Sequence, residues 1–287
     1  MAIAVVTGSS TGIGEATAVS LARAGHTVYA TMRNPEKGGE GLRKLAAQEN
    51  LPLRLATLDV DKDASVREAF GAIVAEAGRV DVLVNNAGVG QGGSVEEQPI
   101  EWFRETMETN FFGALRCIQA VVGGMRERGE GCIVNVTSVA GKVANAAHGS
   151  YSASKFALEG LSECLAQEMK GFGVRVAIVE PGVIATPIFT KSKELPVETR
   201  YPHARRMQEL FRASLEKPVS PYVVGEKIRE IVDSGTWKLR HPVGLDAEGL
   251  LAWRASISDE QWVDFGALTD AQWVSFMREK RGLNVSL

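Results

Sequence analysis

Cysteine and histidine are scarce in this chain of 287 residues, and their spacing argues against several kinds of site. The three cysteines, Cys117, Cys132 and Cys164, are widely separated, and no C-x-x-C pair occurs. This pattern predicts neither a disulfide framework nor a zinc site. The four histidines are also far apart and lack the spacing of metal ligands. We therefore expect no bound metal.

Concentrated positive charge and long apolar runs are also missing. The formal net charge is −3 with both signs interspersed, and without a basic block we expect no nucleic-acid partner. No apolar run reaches the roughly 18 residues of a membrane span. Met1 leads into a strand-like segment without the charged region of a signal peptide. We therefore expect a cytoplasmic protein with no membrane span.

Short apolar runs alternate with helical patterns along most of the chain. Such runs are typical of parallel strands that are buried on both faces. The alternation predicts an α/β fold, a doubly wound parallel sheet of the Rossmann type, with ligands beyond the carboxyl ends of the strands. The predicted strands are residues 2–6, 27–31, 53–58, 80–84, 132–137, 174–179 and a short last one at 237–240, and the predicted helices include 101–128, 149–171 and 222–233.

A glycine-rich turn follows the first strand and precedes a helix. Its spacing, Gly-x-x-x-Gly-x-Gly at Gly8, Gly12 and Gly14, differs from the G-x-G-x-x-G form of the dinucleotide turn. We expect Gly8 to permit the tight turn, Gly12 to let the backbone approach a phosphate, and Gly14 to let helix and strand pack closely. The helix N-terminus would then face the anion.

The ends of the second, third and fourth strands carry candidate cofactor contacts. An acid about 20 residues after the glycines would bind the ribose of NAD, but this chain has Arg33 there. Arg33 either faces the 2′-phosphate of NADP or is a solvated loop residue. Asp59 could accept a hydrogen bond from an adenine amino group. Alternatively, either Asp59 or Asp61 could N-cap the following helix. The small residues 85–88 either place backbone against a cofactor or form an ordinary turn.

Tyr151 and Lys155 are four residues apart, so on a helix they share one face. An ammonium group beside a phenol favours the phenolate, and we expect it to lower the phenol pKa from its usual value of about 10. Ser138 ends an apolar run upstream, where its hydroxyl could bond the same substrate oxygen. Asn110 interrupts a largely apolar helical stretch, and its role is either structural or functional.

Together these residues resemble the short-chain dehydrogenase/reductase family, over about residues 2–240. The stretch from Val28 to Arg33 is similar to the branch that acts on steroids and retinoids with NADP. The matching motifs are Thr7-Gly8-x-x-x-Gly12-Ile13-Gly14, Asp59, Asn85-Asn86-Ala87-Gly88, Asn110, Ser138, Tyr151-x-x-x-Lys155 and Pro181-Gly182-x-x-x-Thr186.

The resemblance implies a hydride-transfer site with Asn110, Ser138, Tyr151 and Lys155 as the catalytic set. Tyr151 would protonate the substrate oxygen, Ser138 would orient it, Lys155 would also hold the nicotinamide ribose, and Asn110 would anchor a water. The cofactor would be NADP, with NAD as the alternative. The implied cofactor-binding residues are Thr7, Gly8, Ser10, Thr11, Gly12, Ile13, Gly14, Arg33, Asp59, Val60, Asn86, Ala87, Gly88, Tyr151, Lys155, Pro181, Gly182, Ile184 and Thr186.

The expected function is hydride transfer between the nicotinamide cofactor and a ketone or secondary alcohol with a bulky, apolar body. Two alternatives remain open: a cofactor-assisted epimerase or dehydratase, and a catalytically silent NADP-binding regulatory protein. Net consumption of NADPH would separate the first alternative from a reductase, and replacement of Tyr151 or Lys155 would have favoured the second. The expected assembly is a homodimer or homotetramer.

The chain is predicted to divide into two regions. We expect one catalytic domain at 1–245, in which the irregular segment 183–220 is a substrate-binding lid, and a helical C-terminal extension at 246–287. The extension carries a repeat, 258–265 and 269–276, and each copy opens with a capping-box pattern. Its two predicted helices would either pack on their own domain or form a lid or subunit contact.

Overall fold

Seven strands form one parallel sheet in the computed structural model, which describes residues 1–190 and 198–287. The strand order is β3-β2-β1-β4-β5-β6-β7, so the chain winds outward in both directions from β1 and β4. This confirms the predicted doubly wound α/β fold. The strands are β1 (Ile3–Val6), β2 (Thr27–Met32), β3 (Leu53–Thr57), β4 (Val82–Asn85), β5 (Gly131–Val136), β6 (Val174–Pro181) and β7 (Arg240–Val243).

Helices cover both faces of the sheet and build the C-terminal region. Within the described ranges none of them is long and apolar enough to cross a membrane. The helices are α1 (Gly12–Arg23), α2 (Pro35–Gly38), α3 (Glu40–Glu49), α4 (Asp63–Ala77), α5 (Ile100–Met107), α6 (Gly113–Arg128), α7 (Gly149–Lys170), α8 (Pro202–Leu215), α9 (Pro221–Ser234), α10 (Ala247–Ala255), α11 (Asp259–Gly266) and α12 (Asp270–Arg281).

The central strands separate two hydrophobic cores. On β1, Val6 points into the core that also holds Val19 of α1 and Ile228 of α9, whereas Val5 points into the core with Phe70 of α4. Successive strand side chains face opposite sides of a sheet, so an uninterrupted apolar run fills both cores at once. This is why β1 contains no polar residue.

Three predicted elements differ from the structure. The expected helix 101–128 is divided by a π-helical turn, Glu108–Phe112, which separates α5 from α6. The last strand is Arg240–Val243 rather than 237–240; it lies at the sheet edge, where Pro242 is tolerated because no further strand needs its amide. The segment 183–220 is not irregular throughout, since α8 occupies Pro202–Leu215; residues 191–197 of that prediction lie outside the described chain.

The C-terminal region packs against α8 through its own hydrophobic cluster. Both predicted capping boxes are present. The Ser258 side chain accepts a hydrogen bond from the backbone amide of Gln261, and the Thr269 side chain accepts one from the backbone amide of Gln272. Trp273, on the second capped helix, is buried against α8 together with Met277 and Val285. The extension therefore packs on α8 of the same chain.

Candidate active site

A cleft of about 2340 Å³ opens at the carboxyl ends of the strands. It runs past the end of β1 and past β4, where the winding direction of the sheet changes, the usual ligand position in such folds. A drug-sized ligand typically needs 300–1,000 Å³, so this volume has room for a dinucleotide and a second molecule. Both the glycine-rich turn and Tyr151 line the cleft.

The glycine-rich turn forms a tight cradle at the N-terminus of α1. Gly8 has a φ of +67°, and a Cβ there would lie 2.8 Å from the Cα of Ala87. Gly12 has a φ of +65°, and a Cβ would lie 3.2 Å from the Thr186 side chain. Thr11 makes no side-chain cap with α1, and Gly12 and Ile13, at the N-terminus of this helix, line the cleft. Exposed helix amides beside a narrow glycine turn fit the phosphates of a dinucleotide.

Two residues of the predicted cofactor set support the cradle from behind. The Thr7 hydroxyl accepts hydrogen bonds from the amides of Asn86 and Ala87, each 3.0 Å long. At Gly14 a Cβ would lie 2.4 Å from the Gly8 carbonyl oxygen, so only glycine lets α1 approach the turn this closely. Neither Thr7 nor Gly14 is among the cleft-lining residues of the described chain. Both residues shape the cradle without facing its interior.

The far end of the cleft is lined by Arg33, Asp59 and Val60. Asp59 accepts a 3.2 Å hydrogen bond from the Asp61 amide, and the cap of α4 is Lys62. The alternative in which Asp59 or Asp61 caps this helix is therefore wrong. Arg33 is exposed at the end of β2 and lies near Asp61, whose pKa is raised chiefly by burial and lowered in part by the Arg33 charge.

A second wall follows β6. Asp246 accepts 3.2 Å hydrogen bonds from the Val183 amide, and a Cβ on Gly182 would lie 1.9 Å from its carboxylate oxygen. Glycine is therefore required at position 182. The remaining predicted cofactor residues all face the cleft: Ser10, Ile13, Gly88, Pro181, Ile184 and Thr186. Sequence reasoning missed Asp246, which lies beyond the recognised motifs.

Ser138, Tyr151 and Lys155 converge on the wall between β5 and α7. Ser138 follows β5, and its hydroxyl accepts a 3.1 Å bond from the Ala140 amide. Tyr151 and Lys155 lie one turn apart on α7, with the Lys155 ammonium 5.6 Å from the centroid of the Tyr151 ring. Lys155 is buried, and its nitrogen donates a 2.9 Å bond to the Val136 carbonyl.

Burial moves the pKa values of this pair in opposite directions. It raises the pKa of the Tyr151 phenol to about 12, and a hydrogen bond with Ser138 opposes that rise. It lowers the pKa of the Lys155 ammonium to about 8, and the Glu159 carboxylate opposes that fall. The expectation of a Tyr151 pKa below its usual value of about 10 is therefore wrong for this structure, because desolvation of the phenol outweighs its favourable contacts.

Asn110 lies in the π-helical turn and is 1% exposed. Its side-chain oxygen accepts from the Val89 amide at 2.8 Å, and its nitrogen donates to the Val89 carbonyl and to the Ser154 hydroxyl, each at 2.9 Å. The side chain thus connects the loop after β4 to α7. A structural role for Asn110 is evident from these bonds, and its predicted water-binding role stays a prediction.

An aromatic wall continues from Tyr151 toward α8. His148 stacks on Tyr151, with ring centroids 4.7 Å apart and planes inclined by 22°. Phe211 of α8 meets His148 edge-on at 5.8 Å and packs on Phe189 at 4.9 Å. Phe276 of the C-terminal extension lines the same cleft. Sequence reasoning considered His148 only as a metal ligand, although its position one helical turn before Tyr151 could have indicated this contact.

Comparison with known proteins agrees with this geometry. A family model described as short chain dehydrogenase matches residues 2–196. An uncharacterized oxidoreductase, YusZ of Bacillus subtilis, is 36% identical over 91% of this chain and 95% of its own length. The 3-ketodihydrosphingosine reductase of Bacteroides thetaiotaomicron is 41% identical over 67% of each chain. A solved short-chain dehydrogenase from Streptomyces avermitilis has a TM-score of 0.81 and 33% identity, and the match covers 98% of both chains.

A doubly wound sheet, a glycine cradle at a helix N-terminus and a Ser-Tyr-Lys wall together define a nicotinamide-dependent oxidoreductase. The chain belongs to the short-chain dehydrogenase family. It is therefore an enzyme that transfers hydride between a nicotinamide cofactor and a ketone or alcohol.

Proposed function

We propose that this enzyme catalyses the reversible, NADP-dependent reduction of a bulky and largely apolar ketone. One observation carries the proposal: Ser138, Tyr151 and Lys155 meet on one wall of the cleft that also contains the glycine cradle. When bound, the reduced nicotinamide supplies the hydride. The chain's own residues supply orientation, the proton and the shape of the site.

Tyr151 gives its proton to the carbonyl oxygen during reduction. Its pKa of about 12 keeps the phenol protonated at neutral pH, as a proton donor must be. The hydroxyl of Ser138 orients the substrate oxygen. Lys155, close to the Tyr151 ring, stabilises the negative charge that develops on the phenol and holds the nicotinamide ribose. Asn110 keeps the loop at Val89 in place and anchors a water for proton supply.

The cofactor would lie along the cleft from the cradle to the end of β2. The amides of α1 and the turn at Gly8 and Gly12 would hold its phosphates, and Asn86, Ala87 and Gly88 would support its ribose and ring. Arg33 favours NADP, because it is an exposed cation at the position where an acid would select NAD. Asp59 and Val60 line the region where the adenine would bind.

The substrate would bind between Tyr151 and the lid. Phe189 and Phe211 of the 183–220 region line this space, and Phe276 joins them from the 246–287 extension. Support for an apolar substrate comes from these side chains, and the name of the reductase relative refers to a keto compound. We therefore propose that the substrate-binding lid is formed jointly by the 183–220 region of the catalytic domain, 1–245, and by the extension.

We also propose a homodimer or homotetramer, supported by three exposed phenylalanines, Phe112, Phe156 and Phe172, whose exposed fractions are between 42% and 49%. Sedimentation of the native protein tests this assembly, and a monomer would contradict it. The cytoplasmic location expected from the sequence stays a prediction.

The function is tested with a panel of ketones, aldehydes and sugars, in which the absorbance of the reduced nicotinamide measures turnover. We expect net NADPH consumption with bulky aryl and alkyl ketones and none with phosphorylated sugars. Turnover confined to small charged compounds would contradict the substrate class. Isomerised or dehydrated product without net NADPH consumption would instead favour an epimerase or dehydratase.

A further inference from the structure

The residue before His148 has an unusual backbone conformation. Ala147 has a φ of +61°, one of only two non-glycine residues with positive φ in the described chain. Alanine rarely adopts this region because its Cβ approaches the following carbonyl. The conformation is held in place by a 2.9 Å hydrogen bond from the Gly93 amide to the Ala147 carbonyl and by a β-bridge between Gly93 and His148. Such strain is characteristic of functional sites.

This backbone places the His148 ring flat against Tyr151, with 4.7 Å between ring centroids. The ring lines the cleft, yet within residues 1–190 and 198–287 neither of its nitrogens is hydrogen-bonded. Burial lowers the pKa of His148 to about 4, so the imidazole is neutral and carries one donor and one acceptor nitrogen. A polar ring with no hydrogen-bond partner among the described residues, held by a strained backbone, points to a ligand contact.

We propose that His148 hydrogen-bonds a second oxygen of the substrate, on the carbon adjacent to the reacting carbonyl or one carbon further. A hydrogen bond spans about 2.7–3.0 Å between heavy atoms. Because the two rings are stacked with their centroids 4.7 Å apart, a single ligand can reach polar atoms of both rings through oxygens on nearby carbons. The substrate class becomes a hydroxyketone or diketone with an apolar body. This inference rests on the proposed function, because it concerns the same site.

The apolar surroundings make this contact selective. Phe211 and Phe189 continue the wall beyond His148, and Ala147, Ala204 and Met207 form a small hydrophobic cluster with Phe211. Among these residues His148 is the polar side chain, and it is stacked directly on Tyr151. A substrate oxygen placed here without a partner would lose its hydration. His148 therefore selects for substrates whose second oxygen reaches it.

The test compares two ketones that differ by one hydroxyl, acetophenone and 2-hydroxyacetophenone. In the native enzyme kcat/KM should be roughly tenfold higher for the hydroxyketone, the effect of one additional hydrogen bond. His148→Phe keeps the aromatic stack and removes both nitrogens, so the ratio should fall to about one. His148→Gln keeps hydrogen-bonding groups and should restore part of the preference. His203→Phe is the matched control, since His203 bonds the Gly266 carbonyl away from the cleft lining.

The outcomes separate this inference from the proposed function. If the native enzyme reduces both ketones with equal kcat/KM, His148 does not hydrogen-bond the second oxygen. The same conclusion holds if His148→Phe retains the native ratio of the two kcat/KM values. If neither ketone is reduced, the proposed function is contradicted instead. The ratio within one variant cancels a general loss of active protein, and NADPH binding by each variant confirms that the cleft is intact.

Discussion

The Lys155 ammonium lies 5.6 Å from the centroid of the Tyr151 ring, and burial of the pair separates their pKa values, to about 8 and about 12. The first proton therefore leaves the pair near pH 8, chiefly from Lys155. The state with neutral Lys155 contains the same number of protons as the state with charged Lys155 and ionised Tyr151. The pH dependence of the reaction belongs to the pair rather than to either residue.

The sign of the pH dependence follows from this proton count. Reduction needs the fully protonated pair, so its rate should fall as the pH rises through about 8. Oxidation needs the pair with one proton fewer, so its rate should rise over the same interval. Initial rates in both directions from pH 6 to pH 10, about the range that brackets this pKa, measure the effect. Parallel profiles in the two directions would contradict it.

Tyr151→Phe tests the proton donor directly. The variant keeps the ring and its stack on His148 but lacks the phenolic hydroxyl, so kcat should fall by about 10²–10⁴-fold. NADPH binding, measured by fluorescence titration, should be retained because the glycine cradle is unchanged. Lys155→Ala should weaken both catalysis and cofactor binding. The mechanism fails if Tyr151→Phe keeps a native kcat while a deuteride isotope effect shows that hydride transfer limits the rate.

Cofactor preference is tested at Arg33. The native enzyme should have a higher kcat/KM with NADPH than with NADH, and Arg33→Ala should narrow the difference by roughly tenfold, the effect of losing one exposed charge-assisted contact. Arg67→Ala is the matched control, because Arg67 is an exposed cation outside the cleft lining. A native preference for NADH would overturn the assignment.

The sheet and the glycine turn could be predicted because burial and close backbone approach restrict which residues can occupy these segments. Strands buried on both faces must be apolar throughout, as at Val5 and Val6, and the close approach at Gly8 excludes any side chain. Helix α8 was missed although Ala204, Met207 and Phe211 have helical spacing, because charged residues between them obscured the pattern.

Other features of the site depend on conformations that the sequence does not specify. A π-helical turn of five residues around Asn110 has no distinct periodicity in so short a segment. Positive φ at Ala147 runs against the preference of alanine, so nothing in the local sequence places His148 on Tyr151. The raised pKa of Tyr151 is a result of tertiary burial, which the Tyr-x-x-x-Lys spacing alone does not report. The catalytic roles themselves stay predictions.

The contact between the extension and α8 can be tested by comparing equivalent residues in the two copies of the repeat. Asp270 accepts hydrogen bonds of 2.8 and 2.6 Å from the buried guanidinium of Arg206 on α8. The equivalent residue of the first repeat copy, Asp259, forms an ion pair with Arg254 within the extension, and its side chain is 87% exposed. Asp270→Asn should therefore lower Tm and raise KM for the ketone several-fold while NADPH affinity is kept. Asp259→Asn should change neither quantity. Equal effects of the two variants on KM would show that the extension does not support the lid.

Glu180 provides a final prediction, about stability. Its side chain is 1% exposed, neither carboxylate oxygen has a hydrogen bond in the described structure, and the nearest cation, on Arg240, is 3.6 Å away. Burial, aided by the charge of Glu159, raises its pKa from 4.5 to about 7.

A carboxyl group whose pKa is raised on folding stabilises the protein only while it is protonated. The contribution is complete below pH 4.5 and is lost as the pH rises through about 7. Glu180→Gln keeps the shape and cannot ionise, so its Tm relative to the native protein should increase between pH 5 and pH 8, about the interval in which Glu180 loses its proton. Glu163→Gln, at an exposed partner of Arg240, is the control without a raised pKa. A constant Tm difference between Glu180→Gln and the native protein across this range would mean that Glu180 is already ionised in the folded state at pH 5.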